Sequence, residues 1–185
     1  MTRSTLAAAS FAAMMLATPV AFAQKADPAN TLVIELKSGP VQIQLMPDLA
    51  PKHVARVKQL ANEGFYNGIK FHRVIDGFMA QSGDPTGTGS GGSKYGSIPA
   101  EFSKYVYKRG TVGAARTSDP NSANSQFYIC FNDTGCQGLT GQYTVWGQVI
   151  SGMENVDKIK RGAPGSGAVT DPDVMQKVYL LSNKK

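Results

Sequence analysis

Short β-type segments separated by turns dominate this chain of 185 residues, and strand–helix–strand alternation is missing from it. Residues 41–45 alternate strictly between apolar and polar side chains and follow the apolar segment 31–36 across a Ser-Gly-Pro turn, which predicts a hairpin with one buried face. Further strands are predicted at 111–115, 125–130, 143–149 and 174–181, with two more inside 71–83. We therefore expect a mainly β fold, a closed eight-stranded antiparallel barrel capped by two α-helices.

Two segments have helical patterns. The first begins at Pro51, which suits the first turn of a helix, and ends before Gly64. The second spans 152–160 and is followed by Gly162. We expect His53, in the first helix, to be a surface residue rather than a ligand, because no second His or Cys sits at metal-ligand spacing from it.

The first 23 residues have the pattern of a signal peptide. Arg3 precedes an alanine-rich apolar run, and the Ala-Phe-Ala sequence at 21–23 puts small side chains where a signal peptidase reads them. The run is shorter than the ~20 residues that a membrane-spanning helix needs. We therefore expect a signal peptide at 1–23, a polar leader at 24–30 and one exported domain at 31–182, with no membrane anchor after cleavage.

The two cysteines, Cys130 and Cys136, would meet an oxidising compartment after export. A disulfide between them would close a small loop and add about 2 kcal/mol to the free energy of unfolding. Because the Cα separation decides whether the bridge can form, a disulfide and two free thiols both remain open.

Several classes of binding site find no support in the residue pattern. The net charge of +6 comes from scattered Lys and Arg, whereas nucleic-acid binders usually concentrate cations on one face, so we expect no nucleic-acid partner. The Gly-rich segment 83–92 has dinucleotide-like glycine spacing, but no helix pattern follows it, so we interpret it as a flexible surface loop. The sequence predicts no metal site and no cofactor. A secreted hydrolase using His53 or His72 stays an alternative, although no Gly-x-Ser-x-Gly motif supports it.

A candidate cleft combines apolar walls, amide groups and one permanent cation. Arg73 lies within a largely apolar strand, and because a buried Arg is rare without a partner, we expect it to face a cleft. Such a set of side chains suits the binding of an extended peptide around an apolar ring, with no covalent intermediate. The candidate residues are Arg73, Phe78, Met79, Gln81, Gln126 and Tyr128.

These residues occur in segments that resemble the sequence motifs of the cyclophilins, the peptidyl-prolyl cis-trans isomerases. The matching segments are Phe-His-Arg-Val-Ile-x-Gly-Phe-Met-x-Gln-x-Gly-Asp at 71–84, Ser-Gln-Phe-Tyr-Ile at 125–129, Leu-x-Gly at 139–141 and Val-Trp-Gly-x-Val at 145–149. With its signal peptide, the chain is similar to a bacterial periplasmic cyclophilin. The resemblance implies an eight-stranded barrel capped by two helices and isomerisation of X-Pro bonds in unfolded or folding exported proteins.

The resemblance also implies roles for single residues. Arg73 would donate a hydrogen bond to the prolyl nitrogen of the twisted amide, and other side chains would form the proline pocket or hold the segment before the proline. The catalytic residues predicted in this way are Arg73, Phe78, Met79 and Gln81, and the substrate-binding residues are Ala115, Arg116, Gln126, Tyr128, Leu139 and Tyr143.

This assembly also predicts the turn of the central hairpin. A two-residue turn would put Arg73 on the opposite face from Met79 and Gln81. A three-residue connection at 76–78 pairs Arg73 with Gln81 and puts all three side chains on one face. We therefore predict the three-residue connection, with Gly77 or a neighbour at positive φ.

Several positions depart from the usual pattern of the family. Asp76 stands where many members have Pro, Tyr128 where Phe is frequent, Arg116 where Asn is frequent and Tyr143 where many have His. Residues 135–138 lack the Trp that eukaryotic members use to bind cyclosporin, so we expect weak cyclosporin binding. We also expect a monomer that binds proline-containing polypeptides. A proline-binding chaperone with little turnover is the alternative function.

The signal-peptide interpretation gives the first testable prediction. Mass spectrometry of the main cellular species should give an N-terminus at Gln24, because cleavage is expected after Ala23. A main species that keeps Met1 would contradict the prediction.

Overall fold

The computed structural model describes residues 27–184. The predicted signal peptide and the first residues of the polar leader lie outside the described residues. Within that range, no helix is long and apolar enough to cross a membrane.

Eight antiparallel strands form one sheet, which confirms the mainly β prediction. The strands are β1 (Thr31–Leu36), β2 (Gly39–Leu45), β3 (Arg73–Ile75), β4 (Met79–Ser82), β5 (Thr111–Ala114), β6 (Phe127–Cys130), β7 (Val145–Ser151) and β8 (Lys177–Leu180). Their order across the sheet is β3-β4-β6-β5-β7-β2-β1-β8.

The sheet curls into a half-barrel, and the predicted closed barrel is not confirmed. The edge strands β3 and β8 do not pair with each other. The irregular segments that precede them make the connection instead, through a bridge between Lys70 and Val174 and a hydrogen bond of 2.9 Å from Met175 N to Ile69 O. The gap between the two edge strands is therefore bridged by irregular backbone and not by paired strands.

One long α-helix and two single α-helical turns accompany the sheet in the described part of the chain: α1 (Pro51–Asn62), α2 (Asp133–Cys136) and α3 (Met153–Val156). The first helix follows its prediction, but the second predicted helix, at 152–160, is much shorter. After Val156 the backbone tightens, as Ile159 N bonds to Val156 O, and Lys160 N then bonds to the carboxylate of Asp173 at 2.8 Å. Ile159 is still buried, so the pattern located a buried face correctly but not the length of the helix.

The side chains of β6 separate two hydrophobic clusters. Phe127 and Ile129 face the main core, where the ring of Phe127 meets Trp146 edge-on at 5.6 Å. Tyr128 and Cys130 face a smaller cluster on the opposite side. The period of two that places alternate strand residues on opposite faces thus carries Tyr128 away from the core and toward the candidate cleft.

His53 is buried, so the prediction of a surface residue was wrong. Its side chain is 2% exposed, and Nδ1 lies 2.6 Å from a carboxylate oxygen of Glu101. Glu101 also accepts hydrogen bonds of 3.0 Å from the backbone N–H groups of Lys52 and His53, which have no partner within the first turn of a helix. Burial lowers the pKa of His53, and the contact with Glu101 opposes that shift. The partner is 48 residues away in sequence, so no local pattern could reveal it.

A disulfide joins Cys130 and Cys136, which decides the question that the sequence left open. Their Cα atoms are 6.1 Å apart, within the range that a disulfide spans, and both residues are fully buried. The bridge fastens α2 to the end of β6.

Candidate functional site

The hairpin of β3 and β4 has the predicted three-residue connection. Ile75 pairs with Met79, Arg73 pairs with Gln81, and Gly77 has a φ of +67°. The positive φ at Gly77 is easily adopted by glycine, which has no Cβ. This register brings the Nη1 atom of Arg73 to 3.1 Å from the Oε1 atom of Gln81, which accepts its hydrogen bond.

A chain of side-chain amides continues from Arg73. Gln81 Nε2 donates to Gln126 Oε1 at 2.9 Å, and Gln126 Nε2 donates to the carbonyls of Gly89 and Gly91 at 2.9 and 2.8 Å. Carbonyl groups can only accept, so they fix which end of the Gln126 amide is its NH₂ group. That in turn fixes the orientation of Gln81, whose carbonyl faces Arg73.

The Gly-rich segment after β4 lies largely at the surface, as predicted, and is organised around one buried carboxylate. Asp84 is fully buried and accepts hydrogen bonds from the backbone N–H groups of Thr86, Thr88 and Gly89 at 2.8, 3.1 and 2.6 Å, and from the Thr86 hydroxyl. Burial alone would raise the pKa of Asp84, but the hydrogen bonds outweigh it and lower the pKa to about 2. The ionised carboxylate thereby shapes the loop whose carbonyls hold Gln126.

Beside this chain lies a cavity of about 170 Å³. Nine of the ten predicted site residues line it: Arg73, Phe78, Met79, Gln81, Ala115, Arg116, Tyr128, Leu139 and Tyr143. The tenth, Gln126, lines an adjoining cavity of about 450 Å³ that shares Gln81, Ala115 and Arg116 with the first. The structure thus brings the ten residues together, and their individual roles stay predictions.

Tyr107, which the sequence analysis did not single out, supports the base of the smaller cavity. It is buried, and its hydroxyl lies 2.9 Å from that of Tyr128, whose ring stacks on it with centroids 6.1 Å apart. A Cβ at Gly113 would collide with both hydroxyls. Strand β5 can therefore pass this close to the two tyrosines only with a glycine at this position. Burial raises the pKa of Tyr128 well above its usual value, which keeps this hydroxyl neutral.

Arg116 forms part of the rim that the two cavities share. Its guanidinium lies 4.3 Å from the centroid of the Tyr143 ring and donates hydrogen bonds to the carbonyls of Thr117 and Gln142 at 2.9 and 3.1 Å. These contacts fix a permanent positive charge between the two cavities.

Neither histidine lines either of these cavities. His53 is bonded to Glu101 beside α1, and burial lowers the pKa of His72, whose ring nitrogens have no hydrogen-bond partner. The hydrolase alternative therefore has no histidine at the cavities.

Comparisons with known proteins identify the family of this chain. The family described as cyclophilin type peptidyl-prolyl cis-trans isomerase matches residues 31–180. A probable peptidyl-prolyl cis-trans isomerase of Brucella suis is 52% identical over 99% of this chain and 98% of its own length. A peptidyl-prolyl cis-trans isomerase of Helicobacter pylori is 41% identical over 70% of this chain and 79% of its own.

Solved structures show the same fold. Cyclophilin AquaCyp293 from Hirschia baltica has a TM-score of 0.74 and 26% identity, covering 86% of this chain and 77% of that one. A cyclophilin type isomerase of Cryptosporidium parvum, crystallised in the presence of the dipeptide Ala-Pro, has a TM-score of 0.74 and 29% identity, covering 81% and 98%. The chain belongs to the cyclophilin-type family. It is a peptidyl-prolyl cis-trans isomerase.

The loop around Asp84 gives a prediction for stability. In an Asp84→Asn variant, one carbonyl oxygen replaces two acceptors, so backbone N–H groups of the loop lose their partner and the free energy of unfolding should fall by about 2 kcal/mol at about pH 7. Because the pKa of Asp84 is lower in the folded chain, its contribution is complete above about pH 4 and is lost as the pH falls through about 2. The difference between the variant and the wild type should shrink over that interval in urea unfolding measurements.

Asp119→Asn is the matched control, because Asp119 is exposed and its carboxylate accepts one backbone hydrogen bond, from Asn121. Its unfolding midpoint should stay near that of the wild type. Equal midpoints for Asp84→Asn and the wild type at about pH 7 would show that the buried carboxylate does not stabilise the loop.

Proposed function

We propose that the chain isomerises X-Pro bonds of unfolded or folding exported polypeptides by stabilising the twisted amide without a covalent intermediate. Rotation about the amide faces a barrier of ~18–20 kcal/mol, because the C–N bond has partial double-bond character. In the twisted state the prolyl nitrogen becomes pyramidal, and its lone pair is no longer delocalised into the carbonyl group. A donor held next to that nitrogen lowers the barrier because it binds the twisted state better than either planar state.

The position of Arg73 is the observation that carries this proposal. Gln81 Oε1 and the carbonyl of Ser166 each accept one of its hydrogen bonds, at 3.1 and 3.2 Å, and they fix the guanidinium at the edge of the smaller cavity. A guanidinium has five N–H donors, so three remain for substrate. It also keeps its proton at any physiological pH, so no proton transfer is needed.

The smaller cavity supplies the pocket for the proline ring. The side chains of Phe78, Met79, Leu139 and Tyr128 give it apolar walls, and Arg73 is at its rim. An apolar pocket with a few placed polar groups is typical of sites that bind small apolar rings. The crystallisation of the Cryptosporidium parvum relative in the presence of Ala-Pro supports a proline-containing ligand.

Two observations support a periplasmic location for the mature chain. The pattern of residues 1–23 is that of a signal peptide, and a disulfide joins Cys130 and Cys136. Disulfides persist in oxidising compartments such as the bacterial periplasm. We propose that the mature chain acts there as a monomer.

Replacement of Arg73 tests the proposed mechanism. Arg73→Ala should lower the isomerisation rate by more than about tenfold while leaving the fold intact, because the donor to the prolyl nitrogen is removed. Exchange NMR on a proline-containing peptide measures the rate. The matched control is Arg56→Ala on α1, which removes an arginine that donates to Gly96 O and stacks on Tyr95.

Near-normal turnover in Arg73→Ala would refute the role of Arg73. The chaperone alternative gives another result: the wild type would shift the peptide signals on binding but produce no cis-trans exchange.

Cyclosporin inhibition tests the ligand side of the site. We predict weak inhibition for two reasons. Residues 135–138 contain no Trp, and Tyr143, whose ring stacks against the Arg116 guanidinium, stands at a position where many family members have His. The competition assay uses the same peptide, and Gly138→Trp is the comparison variant, since a Cβ at Gly138 meets no neighbouring atom. A nanomolar inhibition constant for the wild type would contradict the prediction.

A further inference from the structure

The two adjoining cavities form one continuous groove whose charged lining side chains are all positive. They share Gln81, Ala115 and Arg116, so a peptide whose proline fills the smaller cavity must pass Arg116 to enter the larger one. Arg73 and Arg116 are the charged side chains among the residues that line the groove within the described range. No carboxylate of residues 27–184 lines it, so the groove as a whole is positive.

The charge of Arg116 is held in place and is not neutralised. Its hydrogen-bond acceptors are neutral carbonyls, and across residues 27–184 no carboxylate lies within 4.0 Å of its nitrogen atoms. The acidic groups of nearby loops have other partners. Asp84 is turned into its own loop, Asp119 accepts from Asn121 N, and Glu101 binds His53.

We propose that Arg116 makes the isomerase select substrates that carry a carboxylate, Asp or Glu, at the second residue before the proline. This inference rests on the proposed function and on the expectation that Arg116 holds the segment before the proline. The anionic side chain would lie in the larger cavity, against a cation whose position is fixed before substrate arrives. Little side-chain conformational entropy of the enzyme is then lost when the substrate binds.

The expected effect is moderate, because Arg116 is partly exposed and water screens the attraction. A charge pair several ångströms apart near a protein surface should change kcat/KM by about fivefold. The preference should decline as salt is raised from ~0.02 M to ~0.5 M, where screening acts over a few ångströms. Loss of a hydrophobic contact would show no such dependence on salt.

The test compares peptides that differ at one residue. Glu, Gln or Lys is placed at the second residue before the proline in one series and at the second residue after it in the other, and kcat/KM is measured by exchange NMR. The wild type should prefer Glu over Gln by about fivefold in the first series only. Arg116→Gln should bring the ratio close to one, Arg116→Lys should keep most of it, and Arg116→Glu should favour Lys.

The ratio between peptides separates selectivity from a structural role, because general damage to the Arg116 loop would slow all the peptides alike. The matched control is Arg56→Gln, which loses the same charge and the same type of stacking and carbonyl contact outside the groove. It should keep the wild-type ratio. Equal rates for Glu and Gln in an active wild type would overturn the inference alone, as would a preference confined to the second series. A wild type with no activity on any peptide would instead overturn the proposed function.

Discussion

The pairing of Arg73 with Gln81 across the β3–β4 hairpin is the constraint on which the rest of the site depends. A strand has a period of two, so a shift of one residue in this hairpin would turn Arg73 away from Met79 and Gln81. The three-residue connection with Gly77 at positive φ sets the register. A local property of the backbone thus decides whether a guanidinium faces the cavity.

The register alone would leave Gln81 free to rotate, and the loop around Asp84 removes that freedom. The loop presents two carbonyls to Gln126, Gln126 presents its own carbonyl to Gln81, and Gln81 presents its carbonyl to Arg73. Each amide has one allowed orientation because the next group can only accept or only donate. The position of the Arg73 guanidinium is therefore set in advance by the two glutamines and by the loop around Asp84.

The sequence predicted those parts of the molecule that depend on neighbouring residues. Alternation, turn residues and Pro51 located the strands and α1, whereas the facing of Arg73 and Gln81 followed from the requirement that Arg73, Met79 and Gln81 share one face. The errors concern contacts between distant segments. Glu101 binds His53 in the interior, and Asp173 binds the backbone N–H of Lys160, where the predicted second helix would continue. Closure of the barrel likewise depends on two segments about a hundred residues apart.

Gly113 and the two tyrosine hydroxyls behind the cavity share a single volume. The space that a side chain on β5 would occupy is taken by the oxygens of Tyr107 and Tyr128. Protein interiors are close-packed, and a Cβ at 113 would meet both hydroxyls, so a larger residue there has room only if both tyrosines shift or are replaced by smaller side chains. Positions 107, 113 and 128 are therefore expected to change together among related sequences, because these three residues divide the space behind the cavity among them.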